Sequence, residues 1–379
     1  MGSSTRPPAN RFVAVARHVY NPIGFSKGYN FVLWFIFAGG LLGFICARAP
    51  YFDYDGVFCK PDSNGGFFGA AAGECWSYAQ ESHLKFGIKM HLWTVLPAGF
   101  LAFLQFLPIL RHKVILFHRI NGYITILLSI VGTAGALMIA RVSFGGGADI
   151  QAAVGLLAIL FVGSLLVALY NIKRLQLEQH RAWMLRAWFY AGAIISCRLV
   201  MSSAAMIISK WGEVYKSFSC DKLASFYQDD EQGFMQKYPT CNSTDGWVAV
   251  RADIIGGEGE NAAAAMHETF GMAVWLALAL HAIGVEIYLR LTPAESERLR
   301  NISYKRQIEA GFKNPGSAGL TIDRLGDSTA WEPVSGRSQR DSAYALVDHV
   351  GRTDLNPSRS ESVLLQPGHT QYDPYMPHA

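Results

Sequence analysis

The sequence predicts an all-α fold, a polytopic membrane bundle of about six transmembrane helices. Of 379 residues, 51% are hydrophobic and only 16% are charged, against about 25% charged in an ordinary soluble domain. The mean hydropathy is nevertheless only +0.18, so the apolar residues must be gathered into blocks that hydrophilic stretches dilute. Several blocks reach the roughly 20 apolar residues that cross a bilayer core. These observations exclude a soluble single-domain enzyme, a secreted disulfide scaffold and a disordered regulator.

Six spans are expected: roughly Asn30 to Ala47, His91 to Leu110, Gly122 to Ala140, Ala152 to Asn171, Ala182 to Ile208 and Phe270 to Leu289. All should be helices, because a helix satisfies its own backbone hydrogen bonds in lipid and no run shows the period-two alternation of a barrel strand. Residues 1–29 form a polar arm with no short apolar region and cleavage site, so the first span reads as an uncleaved signal-anchor. Residues 30–290 make up the membrane domain. Residues 291–379 turn to Ser, Arg, Asp and Pro, which predicts a short amphipathic helix around Pro293 to Glu309 and then a largely disordered tail.

Basic residues set the expected orientation. Arg6, Arg11, Arg17 and Lys27, then Arg111, Lys113 and Arg119, then Lys173, Arg174, Arg181 and Arg186, and finally Arg290, Arg298, Arg300, Lys305 and Arg306 fall on one side of a six-span bundle. That side, with both termini, should be cytosolic, in the plasma membrane or an endomembrane. The loops 48–89 and 210–268 lie opposite, and in both Asp and Glu outnumber Lys and Arg. They also hold Cys59, Cys75, Cys220 and Cys241, as expected of two disulfides on an oxidising face. Pairing within each loop is the simplest of three connectivities, and a bond between loops stays open. The tripeptide Asn242-Ser243-Thr244 makes Asn242 a glycosylation candidate there, whereas Asn301-Ile302-Ser303 should stay bare. The net charge of +4 suits the bilayer and its anionic lipid as partner rather than nucleic acid.

Ionisable groups in or near spans are functional candidates because burying them is costly. His118-Arg119-Ile120-Asn121-Gly122 opens the third span, and His180-Arg181-Ala182-Trp183-Met184-Leu185-Arg186 opens the fifth, both from the cytosolic side. A helix N-terminus disfavours a protonated imidazole and favours an anion. A neutral imidazole beside a guanidinium suits metal ligation, or the holding of a carboxylate or phosphate. The plainer reading is topological, since Arg at a cytosolic helix end obeys the positive-inside rule. His281 lies about 20 Å below the outer end of the sixth span at 1.5 Å per residue; its plainer role is a hydrogen bond to a Ser or Thr hydroxyl. An outer group comprises His91, Arg141, Arg198 and His267-Glu268, with Glu268 the expected structural partner of Arg198.

Histidines thus occur in two layers, a layout by which helix bundles hold two b-type haems. On that reading His118 with His180 or His281 ligates iron inside, His91 with His267 does so outside, and Arg119, Arg181, Arg186 and Arg198 are available to the propionates. The fourth span carries no His, which departs from the usual two-haem plan.

The stretch from His91-Leu92-Trp93-Thr94-Val95-Leu96-Pro97-Ala98-Gly99 through the two His-Arg strings to Arg198 resembles the predicted membrane-protein family filed as domain of unknown function 2306. The likeness covers roughly residues 85 to 210, and the long loops and polar tail are similar to those of fungal members. The resemblance implies His91, His118, Arg119, Gly122, His180, Arg181, Trp183, Met184, Arg186 and Arg198 as a signature, and it implies no activity. Three functions compete. The first is haem-linked transmembrane redox chemistry with haem b as cofactor. The second is a non-enzymatic transporter, receptor or scaffold binding an anionic lipid or small lipophilic solute through the His-Arg pairs. The third is a cyclase or isomerase for a lipophilic substrate, for which only Glu268 and Glu286 offer acids near the spans.

Overall fold

The computed structural model describes residues 10–60, 69–227, 230–242, 246–256 and 258–333. Among them six helices are long and apolar enough to cross a membrane: Gly28–Phe52, Ser82–Gln105, Ile115–Ile139, Ala148–Lys173, Leu177–Trp211 and Gly259–Leu291. The helices run α1 (Arg11–Ile23), α2 (Gly28–Arg48), α3 (Glu74–Ala79), α4 (Ser82–Gln105), α5 (Pro108–Lys113) and α6 (Ile115–Ile139). They continue as α7 (Ala148–Lys173), α8 (Leu177–Trp211), α9 (Cys220–Ala224), α10 (Glu231–Lys237), α11 (Gly259–Leu291) and α12 (Pro293–Glu309). Strands β1 (Tyr215–Ser219) and β2 (Trp247–Arg251) pair antiparallel, with Ser217 opposite Ala249.

Hydropathy alone misplaces several ends. α4 starts nine residues before His91 and stops at Gln105, because Pro108 disfavours helix at the residue before it and Leu107 is extended (φ −80°, ψ 112°). α8 has 35 residues and α11 has 33, about 50 Å each at 1.5 Å per residue. Both outrun a hydrocarbon core of about 30 Å. His267 therefore lies two turns inside α11, and His91 is well inside α4.

The spans pack as a membrane bundle does, with small residues at the crossings and large apolar side chains turned outward. Leu127, Ile159, Leu199 and Ile283 are exposed on the outer surface. Where α4 crosses α6, a Cβ on Gly135 would lie 2.7 Å from the Gly87 carbonyl oxygen and 2.8 Å from the His91 nitrogen. Only glycine allows the two backbones that close.

At one end, here the disulfide face, the loops are folded caps. The disulfides are Cys59–Cys75 and Cys220–Cys241, both within a loop. In the second cap Phe218, Leu223, Phe234, Tyr238 and Val250 form a buried cluster on Ala263, Ala264 and Ala265 of α11. Lys237 ties α10 to the start of α11, its Nζ 2.6 Å from Glu258 and 2.7 Å from Glu260.

At the opposite end, the terminal face, the first part of the tail is folded. α12 forms where predicted, but the chain from 310 to 333 folds back instead of leaving. The reason is a buried amide network: Gln307 Nε2 donates to Gln176 Oε1 at 2.9 Å, and the Gly319 amide donates to the same oxygen at 2.9 Å. Arg300 closes the fold on Asp323 at 2.8 Å. Residues 334–379 lie outside the described residues.

Candidate functional site

Chemistry-bearing side chains gather at both ends of the bundle. On the disulfide face, α3 carries Glu74 under the cap, where Oε1 lies 3.0 Å from His267 Nε2. Glu74 Oε2 accepts from the Tyr78 hydroxyl and from the Phe144 amide, each at 2.9 Å. Lys222 Nζ lies 3.9 Å from Oε1 and donates to Ser77 Oγ at 2.9 Å. Both Glu74 and His267 side chains are 2% exposed. Burial opposes ionisation of Glu74, yet His267, Lys222 and the Phe144 amide outweigh it and hold the carboxyl below its usual range. Burial and the neighbouring carboxylate together push the Tyr78 phenol well up.

Arg198 is not paired with Glu268, contrary to expectation. Glu268 instead accepts from Lys216 at 3.1 Å, while the Arg198 guanidinium lies 5.0 Å from the Phe144 ring and 5.4 Å from the Phe270 ring. His91 Nδ1 lies 2.8 Å from the Gly132 carbonyl, tying α4 to α6. Arg141 is exposed.

His281 crosses from α11 to α8, Nδ1 2.7 Å from the Phe189 carbonyl and Nε2 2.7 Å from Ser196 Oγ. A neutral ring satisfies both, Nδ1–H donating to the carbonyl and Nε2 accepting the hydroxyl proton. The plainer reading of this histidine, a hydroxyl bond within the bundle, is the one its surroundings support.

On the terminal face, His118 and His180 each stand fourth in their helices. His180 Nδ1 is 2.9 Å from the Ala168 carbonyl. His118 Nδ1, Asn121 Oδ1, Arg181 Nη1 and Trp188 Nε1 are all buried without a hydrogen-bond partner. Arg181 makes a hydrogen bond from Nη2 to the Tyr288 hydroxyl at 3.3 Å and lies 5.6 Å from the centre of the same ring. Arg111 of α5 lies within electrostatic reach of His118, His180 and Arg181. Glu295 of α12 is the carboxylate acting on both Arg111 and Arg181, and it is itself paired with Arg298 at 2.7 Å. Cations outnumber anions here, and several buried polar atoms are left open. Arg186 is brought elsewhere, bound to Glu286 through both nitrogens at 2.6 and 3.0 Å, and Arg119 is exposed.

Haem ligation fits these surroundings poorly on the disulfide face. His267 is fixed to Glu74, its ring stacks at 5.2 Å on Phe218, and a Cβ on Gly145 would stand 3.1 Å from its Nδ1. His281, the inner-layer alternative to His180, also has both nitrogens committed. Among the described residues no group of three or more His, Cys, Asp and Glu could hold a metal ion.

Sequence reasoning missed Glu74, Tyr78 and Lys222, ordinary loop residues whose partner His267 is 193 positions from Glu74. Only the adjacency of Glu74 to Cys75 hinted that it sits in an anchored segment. The same holds for Gln176, Glu178 and Gln307, buried polar residues that no spacing distinguishes from solvated ones.

A protein from Aspergillus versicolor named "Ava biosynthesis cluster protein G" is 25% identical over 324 residues, covering 74% of this chain and 94% of that protein. No solved structure matches. The His-Arg strings and Arg198 fall within residues 88–220, and over those residues the chain matches the family described as Predicted membrane protein (DUF2306), the family that its motifs resemble.

Proposed function

We propose that this integral membrane protein binds an anionic amphiphile, a phosphate- or carboxylate-bearing lipid or lipophilic intermediate, with its headgroup among Arg111, His118 and Arg181. The observation that carries the reading is the buried Arg181 Nη1 with no partner. A buried guanidinium nitrogen left unpaired is costly, and an oxyanion removes the cost with a charge-assisted, directional bond. His118 and His180 sit in first helical turns, where the helix dipole adds attraction for an anion. The relative's name attaches it to a biosynthesis cluster, which fits a small-molecule ligand.

The orientation that accompanies this reading has the terminal face in the cytosol and the disulfide face lumenal or extracellular, with Asn242 glycosylated. Asn242 is exposed; Ser243 and Thr244 lie outside the described residues. Loss of a glycosidase-sensitive mobility shift in Asn242→Gln supports this orientation, and the absence of any shift in the parent chain counts against it.

The test is titration of the full chain in nonionic detergent with dodecyl phosphate, dodecanol and inorganic phosphate. Dodecyl phosphate should bind salt-sensitively, dodecanol weakly, and Arg181→Ala should lose at least tenfold of the affinity. Binding of inorganic phosphate alone would point to a solute rather than a lipid. Unchanged binding in Arg181→Ala overturns the reading.

Haem remains a second reading because the unpartnered His118 Nδ1 is a free ligand position. An absorption spectrum of the purified chain decides it: a b-type spectrum that His118→Ala removes supports haem, and a colourless, iron-free protein dismisses it.

A further inference from the structure

We propose a second site, independent of the first, in which Arg198 binds the carboxylate of a lipophilic acid in the disulfide-face half of the bundle. Arg198 stands 13 residues before the end of α8, level with Phe144, whose amide is bonded to Glu74 under the cap. An arginine stays charged here, half-buried, and its guanidinium is a ready partner for an anion. Among the described residues it makes no ion pair or hydrogen bond; its contacts are the faces of Phe144 and Phe270.

Glu268, its expected partner, and Glu74 are both committed elsewhere. Glu268 holds Lys216. Both oxygens of Glu74 are taken, by His267 on one side and by Tyr78 and the Phe144 amide on the other. A cation–π contact uses the flat face of the guanidinium and leaves the N–H groups around its edge unspent. Two parallel N–H bonds from that edge match a carboxylate.

The aromatic floor is fixed, which makes this a built position rather than a side chain at rest. Phe144 and Phe270 stack at 4.1 Å. Phe144 is held at φ 50°, ψ 38°, a left-handed conformation that costs a bulky residue energy and that its amide bond to Glu74 maintains. The two rings give an apolar body something to lie against beneath its charged end. Arg198 also stands within electrostatic reach of His91 and Tyr78. With His91 Nδ1 facing the Gly132 carbonyl, its Nε2 is left as an acceptor for a hydroxyl on the same ligand.

Dodecanoate is the probe, titrated calorimetrically into the full chain in nonionic detergent, with dodecanol as the uncharged control. Dodecanoate should bind at least tenfold more tightly than dodecanol. Because the terminal-face site also accepts a carboxylate, the comparison is made in the Arg181→Ala background, where dodecanoate should still bind, Arg198→Gln should weaken it at least tenfold, and Arg198→Lys at least threefold through loss of the planar fork. If Arg198→Gln does not fold, Arg198→Lys and Phe144→Leu carry the test, each expected to lose at least threefold. The proposal is overturned if dodecanoate does not bind, if it binds Arg198→Lys as tightly as the parent, or if Arg181→Ala abolishes it while the Arg198 variants do not. The last outcome would assign the acid to the terminal face.

Discussion

His267 Nε2 lies 3.0 Å from Glu74 Oε1, so the sixth span is bonded to the first extramembrane cap through a pair shut away from water. Removing one partner of such a pair leaves the other unpaired, at about 3–5 kcal/mol. Glu74→Ala should lower the melting temperature in detergent markedly, and Glu74→Gln, which keeps part of the bonding, should lower it less. Equal melting of parent and Glu74→Ala would show that the pair contributes nothing.

The same pair sets an acid limit. The Glu74 carboxyl is held below its ordinary range, so its contribution is complete above the unfolded value of about 4.3. It is lost as pH falls through the lower folded value. The part of the melting temperature that depends on Glu74, read as the difference between parent and Glu74→Gln, should be lost below about pH 4. Glu74→Gln should flatten the acid fall of the parent, and an unaltered acid profile in this variant would count against the assignment.

Cys59–Cys75 and Cys220–Cys241 close loops of 16 and 21 residues by sequence separation, each worth about 3 kcal/mol in a chain-entropy account. Peptide mapping without reductant should recover these two linkages and no bridge between loops. Cys220→Ala with Cys241→Ala should expose the second cap to protease before the spans unfold.

Gly135 faces backbone on α4, with the Gly87 carbonyl oxygen 2.7 Å from a Cβ built there. Gly135→Val should separate α4 from α6, costing about 1–3 kcal/mol or more, and broaden the gel-filtration peak. Gly40 has nothing within 4 Å of a Cβ, so Gly40→Ala is the tolerant control.

The folded tail bears on the terminal-face site. Glu295 is the acid acting on Arg111 and Arg181, and a bound anion must share those cations with it. Glu295→Gln should raise dodecyl phosphate affinity about threefold. Asp323→Asn should free the segment after α12 to protease, because burial is outweighed there by Ser317, Thr321 and Arg300, which keep the carboxyl ionised. Intact protection in Asp323→Asn would place the strength of the tail in Gln176 and Gln307 alone.

The sequence by itself determined the membrane class, the six spans and the two sulfur-rich loops, because these rest on summed local quantities: apolar length against bilayer thickness and the side on which cysteines fall. It also pointed to His118, His180 and Arg181, since ionisable groups stand out against lipid-compatible runs. Partners were decided only by the tertiary structure. Arg186 took Glu286, Glu268 took Lys216, and His281 took Ser196. Glu74, an unremarkable loop acid, became, with Glu260, one of the two most enclosed carboxylates described on the disulfide face. Hydropathy is additive along the chain, whereas a hydrogen bond depends on a few tenths of an ångström between residues that only packing brings together.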